Sequence, residues 1–213
     1  MPDTTQPSEL AHTPDALLAP PRRGRGRRPT EQVRRGIVDA AGRILLAEGM
    51  AALSIERVAA LAGASKMTIY KWWPSKGALA LDGYFAAVSS TLAFPDTGDI
   101  EADLTTQLTA FVHLLADTRA GRVVAELIGQ SQTDPDLAAA YRERYSAPRR
   151  ALAVEAITRA QDRGQLRHGV DPEVVVDLLW GACYHRLLIP DQPLTVEFAH
   201  ALVRDLLAGL RPQ

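Results

Sequence analysis

From Pro29 onward the apolar residues recur at spacings of three and four, the period of a helix with one buried face. Val33, Ile37, Ala40, Ala41, Ile44 and Leu45 make the first stripe. Thr30 is its candidate N-cap, Glu31 sits in the first turn where the helix dipole favours an acid, and Gly49 is the stop. Ser54 is placed to cap a short second helix with Ile55, Val58, Ala59 and Leu61 inward, ended by Gly63. Ser65 caps a third helix running to about Trp73, and Pro74-Ser75 restarts the chain as a fourth from Lys76 to about Leu92. Phe94-Pro95-Asp96-Thr97-Gly98-Asp99 is the clearest linker, and the domain boundary is expected there. Beyond it helices are expected at 100–116, 119–131, 135–163, 172–189 and 195–210. Asp134-Pro135 and Asp171-Pro172 are cap-plus-proline starts, Gly164 closes the long third helix, and Pro148 should kink or split it. Nothing alternates with period two for long enough to make a sheet. The expected fold is all-α: a three-helix N-terminal domain with a connecting fourth helix over 29–94, and a C-terminal helical domain over 95–213.

Composition narrows the class. The 213 residues are 46% apolar and 23% charged, ample for a packed core in one domain or two small ones. A single cysteine, Cys183, excludes an intrachain disulfide framework and suits a reducing cytosol; it reads as a small buried hydrophobe. No apolar run approaches the ~18 residues of a membrane span, and the run from Leu178 stops at His185. Asp3, Glu9 and Asp15 stand where a secretory signal would carry bases. A cytoplasmic protein without a membrane partner is expected.

The net charge of −1 hides an asymmetry. Residues 1–21 carry −3, residues 22–76 carry +8, and residues 77–213 carry −6. A basic block beside an acidic remainder is the pattern of a nucleic-acid-binding module joined to something else, although a solvated basic face looks the same. Residues 1–21, rich in Pro, Thr and Ala, are expected to be disordered. Arg22, Arg23, Arg25, Arg27 and Arg28, interleaved with glycines, then read as a flexible cationic arm. The chain's three lysines, Lys66, Lys71 and Lys76, all fall within eleven residues.

The helices at 54–62 and 65–73, joined by Gly63-Ala64, have the form of a helix-turn-helix. At about 100° per residue, Ile69 and Trp73 lie about 40° apart and should face the core. Met67 and Lys71 then fall about 160° and 200° round from Ile69, flanked by Thr68 and Tyr70. That outward set of methyl-bearing chain, cation, hydroxyl and phenol suits thymine methyls, base edges and phosphates in a major groove. Ser75 and Lys76 open the next helix, whose free N–H groups favour a phosphate. Any helical hairpin with a glycine turn shares the outline, and Tyr70 and Trp72 could serve packing alone.

The stretch Ala59 to Leu79 is more particular. With Ala62-Gly63-Ala64-Ser65-Lys66-Met67-Thr68-Ile69-Tyr70-Lys71-Trp72-Trp73-Pro74-Ser75-Lys76 at its centre, it resembles the tetracycline-repressor (TetR) family of bacterial regulators. The resemblance covers about residues 30–80, including Glu48-Gly49 and Leu53-Ser54 upstream. It implies that Thr68, Tyr70, Lys71 and Lys76 contact DNA, that Trp73 is a buried aromatic, and that Trp72 stands where a histidine is common. Ser65, Lys66, Met67 and the arginine arm complete the candidate DNA surface. A looser resemblance to one branch of the family rests on Asp134-Pro135, Tyr141-Arg142-Glu143-Arg144, Pro148-Arg149-Arg150, Arg159-Ala160 and Arg163-Gly164-Gln165-Leu166. Together these imply a homodimer whose C-terminal domain binds a small-molecule effector.

In the second half, Val176, Trp180, Cys183, Tyr184 and Leu187 make a broad apolar face, with Gly181 and Ala182 small enough to admit another helix. Gly181, Phe198, Leu202 and Leu206 are candidate dimer-interface residues; the alternative is that both last helices serve only the intrachain core. Phe111, His113, Trp180, Tyr184 and His185 are candidate pocket residues. The two histidines form no defensible metal pair. There is no Gly-x-Ser-x-Gly, His-Glu-x-x-His, Walker loop or dinucleotide fingerprint, and Gly24-x-Gly26 lies in the arginine arm rather than after a strand. No catalytic residue, metal or cofactor is expected. The expected function is a transcriptional repressor, bound to double-stranded DNA at a pseudo-palindromic operator and released by an effector. A regulator without effector, an activator, and more remotely a helical enzyme or adaptor are the alternatives.

Overall fold

The computed structural model describes residues 29–211 apart from residue 190; the expected tail and the arm Arg22–Arg28 lie outside the described residues. Ten α-helices and no strand occur among those residues. They are α1 (Thr30–Glu48), α2 (Ile55–Ala62), α3 (Lys66–Trp72), α4 (Lys76–Val88), α5 (Ile100–Ala116), α6 (Arg119–Ser131), α7 (Pro135–Tyr141), α8 (Ala147–Asp162), α9 (Pro172–Leu188) and α10 (Val196–Leu210).

Local chemistry sets most boundaries. Ser54, Ser65 and Ser75 each accept the backbone N–H three residues on, starting α2, α3 and α4. Asp134 and Asp171 cap α7 and α9 ahead of a proline in the first turn. Gly63 stops α2 in the left-handed region at φ 63°, where a side chain would be strained.

The structure corrects two boundary or packing expectations and gives a third its form. Thr30 is the first residue of α1, not its cap, and Pro29 precedes it without a side-chain cap. Leu61 is 54% exposed, because Ala62 takes the inward position one residue on. The helix 135–163 is split near Pro148 as expected, though the break is a π-helical turn over Arg142–Ser146, ahead of the proline. Pro148 has no N–H to offer the Arg144 carbonyl and its ring would crowd that group, so the wider turn just ahead of it relieves the conflict.

A continuous hydrophobic core runs through both halves. α4 is the shared wall: α1 packs along it on one side, and α6 and α7 on the other. The α1–α4 crossing is close because glycines face each other there. A Cβ on Gly42 would stand 2.6 Å from the Gly83 carbonyl oxygen, and one on Gly83 would stand 2.8 Å from the Ala41 Cβ. On the far side α5 packs on α10, and Cys183 of α9 is buried, its thiol pushed up to about 12 by burial. The loop before α5 is tied down where Thr97 donates from its hydroxyl to the buried Asp103 at 2.7 Å and Arg163 binds Asp96 at 2.7 Å.

Gly83→Ala should therefore destabilise the protein by ~1–3 kcal/mol through overpacking, against the ~1 kcal/mol that alanine gains over glycine in an open helix. Chemical denaturation checks this; an equal or higher midpoint would show that the crossing has room.

Candidate nucleic-acid interface

α3 has seven residues, too few to hold a helix in water without tertiary support. Its support comes from the inward side. Ile69 is fully buried and Trp73, the C-cap, is 1% exposed, as the helical wheel requires. Opposite them Met67 is 80% and Tyr70 51% exposed, and Lys71 is also exposed. Met67, Tyr70 and Lys71 thus share the outward face of a short, firmly seated helix.

The remaining candidates sit around that surface. Ser65 accepts the Thr68 N–H at 3.1 Å, and the two hydroxyls lie 2.8 Å apart, so Thr68 is held against the helix start. Lys66 is tied back to Glu56 of α2 at 2.6 Å, an ion pair that raises the lysine above its ordinary range. Lys71 and Lys76 are exposed, and no salt bridge joins either to a carboxylate among the described residues. Trp72 is half-buried and meets Trp73 edge-on, ring centres 5.7 Å apart. Arg57 of α2 donates to Glu48 at the end of α1 at 2.8 Å, bracing the hairpin against the first helix.

Behind α3 lies a node that periodicity did not reveal. The Trp73 indole Nε1 donates to Asp82 Oδ2 at 2.7 Å. The other oxygen of Asp82 accepts from Arg144 Nη1 at 2.8 Å. Arg34 of α1 stands 3.9 Å from the same carboxylate and 5.8 Å over the Trp73 ring. Asp82 thus joins the end of α3, the first helix and the π turn of the C-terminal half. The signal in the sequence is that Asp82 is the sole acid in α4, whose only other charge is Lys76 at its first position.

A cavity of about 470 Å³ lies on the C-terminal side of α4. Phe111, Trp180 and Tyr184 line it; His113 and His185 do not. His113 is exposed on the surface, paired with Asp117 at 2.6 Å, and His185 stands on the open face of α9. The walls that sequence reasoning missed are Tyr141, Tyr145 and Arg149, spaced four apart so that they share a face, and Phe94, read as linker. Tyr145 stacks on Phe85 of α4 at 4.0 Å with the rings within 4° of parallel. Burial pushes the phenols of Tyr84, Tyr141, Tyr145 and Tyr184 above the usual tyrosine range, leaving them neutral donors.

Comparison with known proteins places these features. The family model for the N-terminal domain of bacterial tetR-family regulatory proteins matches residues 37–82, and that for the tetracyclin repressor-like C-terminal domain matches residues 94–206. The chain belongs to the TetR family. The crystal structure of the TetR family transcription regulator SCO0332 is 60% identical with a TM-score of 0.80, over 85% of this chain and 100% of that one. The HTH-type transcriptional regulator YdeS of Bacillus subtilis is 36% identical over 88% of this chain and 94% of its own length. The DNA-binding transcriptional repressor TetR of Mycobacteroides abscessus is 31% identical over 79% of this chain and 89% of its own. As a TetR-family member the chain is a DNA-binding transcriptional regulator with a helix-turn-helix, not an enzyme.

In this family member the Asp82 node fixes where the helix-turn-helix ends. Asp82→Ala strands the buried Trp73 N–H and should cost ~1–3 kcal/mol, while the half-exposed Arg34 and Arg144 add little on their own. Thermal unfolding and DNA affinity should both fall; a variant with unchanged melting and binding would show the node to be idle.

Proposed function

We propose that the chain is a dimeric repressor that leaves its operator when a small molecule occupies the cavity behind α4. The observation that carries the DNA-reading half is the outward face of α3, where Met67, Tyr70 and Lys71 stand exposed above the buried Ile69 and Trp73. Two copies of that face, about 34 Å or a multiple of it apart, read successive major grooves of a pseudo-palindrome. Thr68, Lys76 and the N-terminus of α4 hold phosphates beside it, and the arginines Arg22–Arg28 add salt-sensitive contacts.

Support for a homodimer comes from α9. Val174, Leu178 and Leu188 are 50%, 49% and 43% exposed and lie along one stripe with Gly181. A Cβ on Gly181 would meet nothing within 4 Å, and Gly181 and Leu188 also border the cavity. Phe198, Leu202 and Leu206 of α10 are half-buried in their own subunit, with the Arg186 guanidinium 3.5 Å over the Phe198 ring. The second copy therefore docks chiefly on α9, with α10 at the margin.

Release follows from position. Tyr145 lines the cavity and stacks on Phe85, and its neighbour Arg144 grips Asp82, which grips Trp73. A ligand that displaces Tyr145 alters the seat of the recognition helix. A hundredfold loss of operator affinity needs only ~2.7 kcal/mol of coupling. The name of the Mycobacteroides abscessus relative, a DNA-binding transcriptional repressor, favours repression over activation.

Lys71→Ala should weaken binding to the chain's own upstream DNA at least tenfold while changing binding to unrelated duplex about threefold or less, since a good base contact is worth ~1–3 kcal/mol. Fluorescence anisotropy on the two duplexes measures both. Equal losses would reduce Lys71 to a phosphate contact.

A further inference from the structure

The cavity behind α4 gathers a large share of the chain's rings. Three Trp, five Tyr and four Phe make twelve aromatic residues in the sequence, and six of them line this one space: Phe94, Phe111, Tyr141, Tyr145, Trp180 and Tyr184. They come from the loop before α5, from α5, from α7 and the π turn after it, and from α9, so no single helical period brings them together. Phe111 and Tyr184 meet edge-on at 5.5 Å, and Phe94 and Trp180 lie 6.2 Å apart at a tilt of 42°. Rings crossed in this way do not close face to face, and they leave faces and edges for a further flat ring. The volume of about 470 Å³ is in the range of sites that hold small organic ligands.

The polar side chains of the wall are engaged within the chain. Arg150 donates to Asp177 and to Glu173. The phenols of Tyr141, Tyr145 and Tyr184 are hydrogen-bonded to one another. Arg149 lies 5.0 Å over the Tyr145 ring and, like Gln107, has a further partner. Ser131 donates to the Ile128 carbonyl at 2.7 Å, Gln132 to the same carbonyl at 3.2 Å, and Ser146 to the Arg142 carbonyl at 3.4 Å. Charge is balanced as well: Arg149 and Arg150 on the wall stand against Asp177 on it and Glu173 beside it. An ionised ligand of either sign must break one of these pairings or bury its charge beside none, and both are costly. An uncharged ligand meets neither obstacle.

We propose that this cavity takes an uncharged aromatic molecule, its rings seated among Phe94, Phe111 and Trp180. The assignment rests on the effector-binding reading above and gives that reading a ligand class. Preference for a flat ring over a saturated one comes from the crossed ring walls. Rejection of ions comes from polar groups already paired with one another.

The test uses the full-length protein and four probes of one skeleton in isothermal titration calorimetry: 2-naphthalenemethanol, the anion 2-naphthoate, the cation 2-naphthylmethylammonium, and the saturated decahydro-2-naphthalenemethanol. The aromatic alcohol should bind once per chain, roughly tenfold or more tighter than either ion and roughly threefold or more tighter than its saturated twin. Trp180→Leu should lower affinity for the aromatic alcohol about fivefold and change the saturated one about twofold or less; the ranking of the four probes on the unaltered protein stands alone should that variant lose its fold. Absence of binding by the aromatic alcohol, an ion bound as tightly, a saturated twin bound as tightly, or a folded Trp180→Leu variant that affects both alcohols equally would each overturn the assignment. Anisotropy on upstream DNA separates this from the reading it rests on. An aromatic alcohol that binds as described but leaves DNA affinity unchanged upholds the ligand class and removes effector release.

Discussion

The carboxylate of Asp82 carries a constraint that the pose of α3 depends on. α3 is seven residues long and gains nothing from length, so its pose is set by what grips it: Ile69 in the core and Trp73 at its end. Trp73 is seated by a hydrogen bond to Asp82, and Asp82 is at the same time bound by Arg144 from beyond the linker. A single side chain thus makes the orientation of α3 a property of both halves. The ion pairs alone are half-exposed and weak; the buried indole N–H is the part that cannot be left unsatisfied.

The helix that bears Asp82 has the same double character. α4 presses Gly83 against α1 on one side, and offers Tyr84 and Phe85 to Tyr145 of the π turn on the other. Since packed interiors transmit displacement rather than absorbing it, a change at the cavity wall has a short route to the end of α3. The π turn is part of that route. It exists because Pro148 cannot continue the regular helix, and it places Arg144 on Asp82 while the next residue, Tyr145, lines the cavity. Helices bearing such bulges often sit at functional sites, and here the bulge lies between the end of α3 and the cavity.

Much of this fold is legible in the sequence because helix ends are local events. Ser54, Ser65, Ser75, Asp134 and Asp171 announce starts, and Gly63 a stop, without reference to the rest of the chain. The outward face of α3 is legible for a related reason: a wheel needs only one buried residue to orient it, and Ile69 supplies it. What depends on distant partners is less readable. Arg144 reaches Asp82 across 62 positions, and no period encodes that pairing. Of the candidate pocket residues Phe111, Trp180 and Tyr184 line the cavity, but His113 and His185 face outward, whereas Tyr141, Tyr145 and Arg149 carry an inward face at spacing four. That spacing was visible; only the neighbouring helices decide which face of a helix borders a void.

Selection of bound duplexes from a random-sequence pool, using the full-length protein, tests the DNA-reading surface most directly. Two copies of a surface held as α3 is held should enrich an inverted repeat whose half-sites are centred about 34 Å, or a multiple of it, apart. Loss of that enrichment with Tyr70→Ala would tie it to the outward face of α3. A pool that stays random, or one that converges on a lone half-site with no symmetric mate, would contradict a symmetric pair of readers.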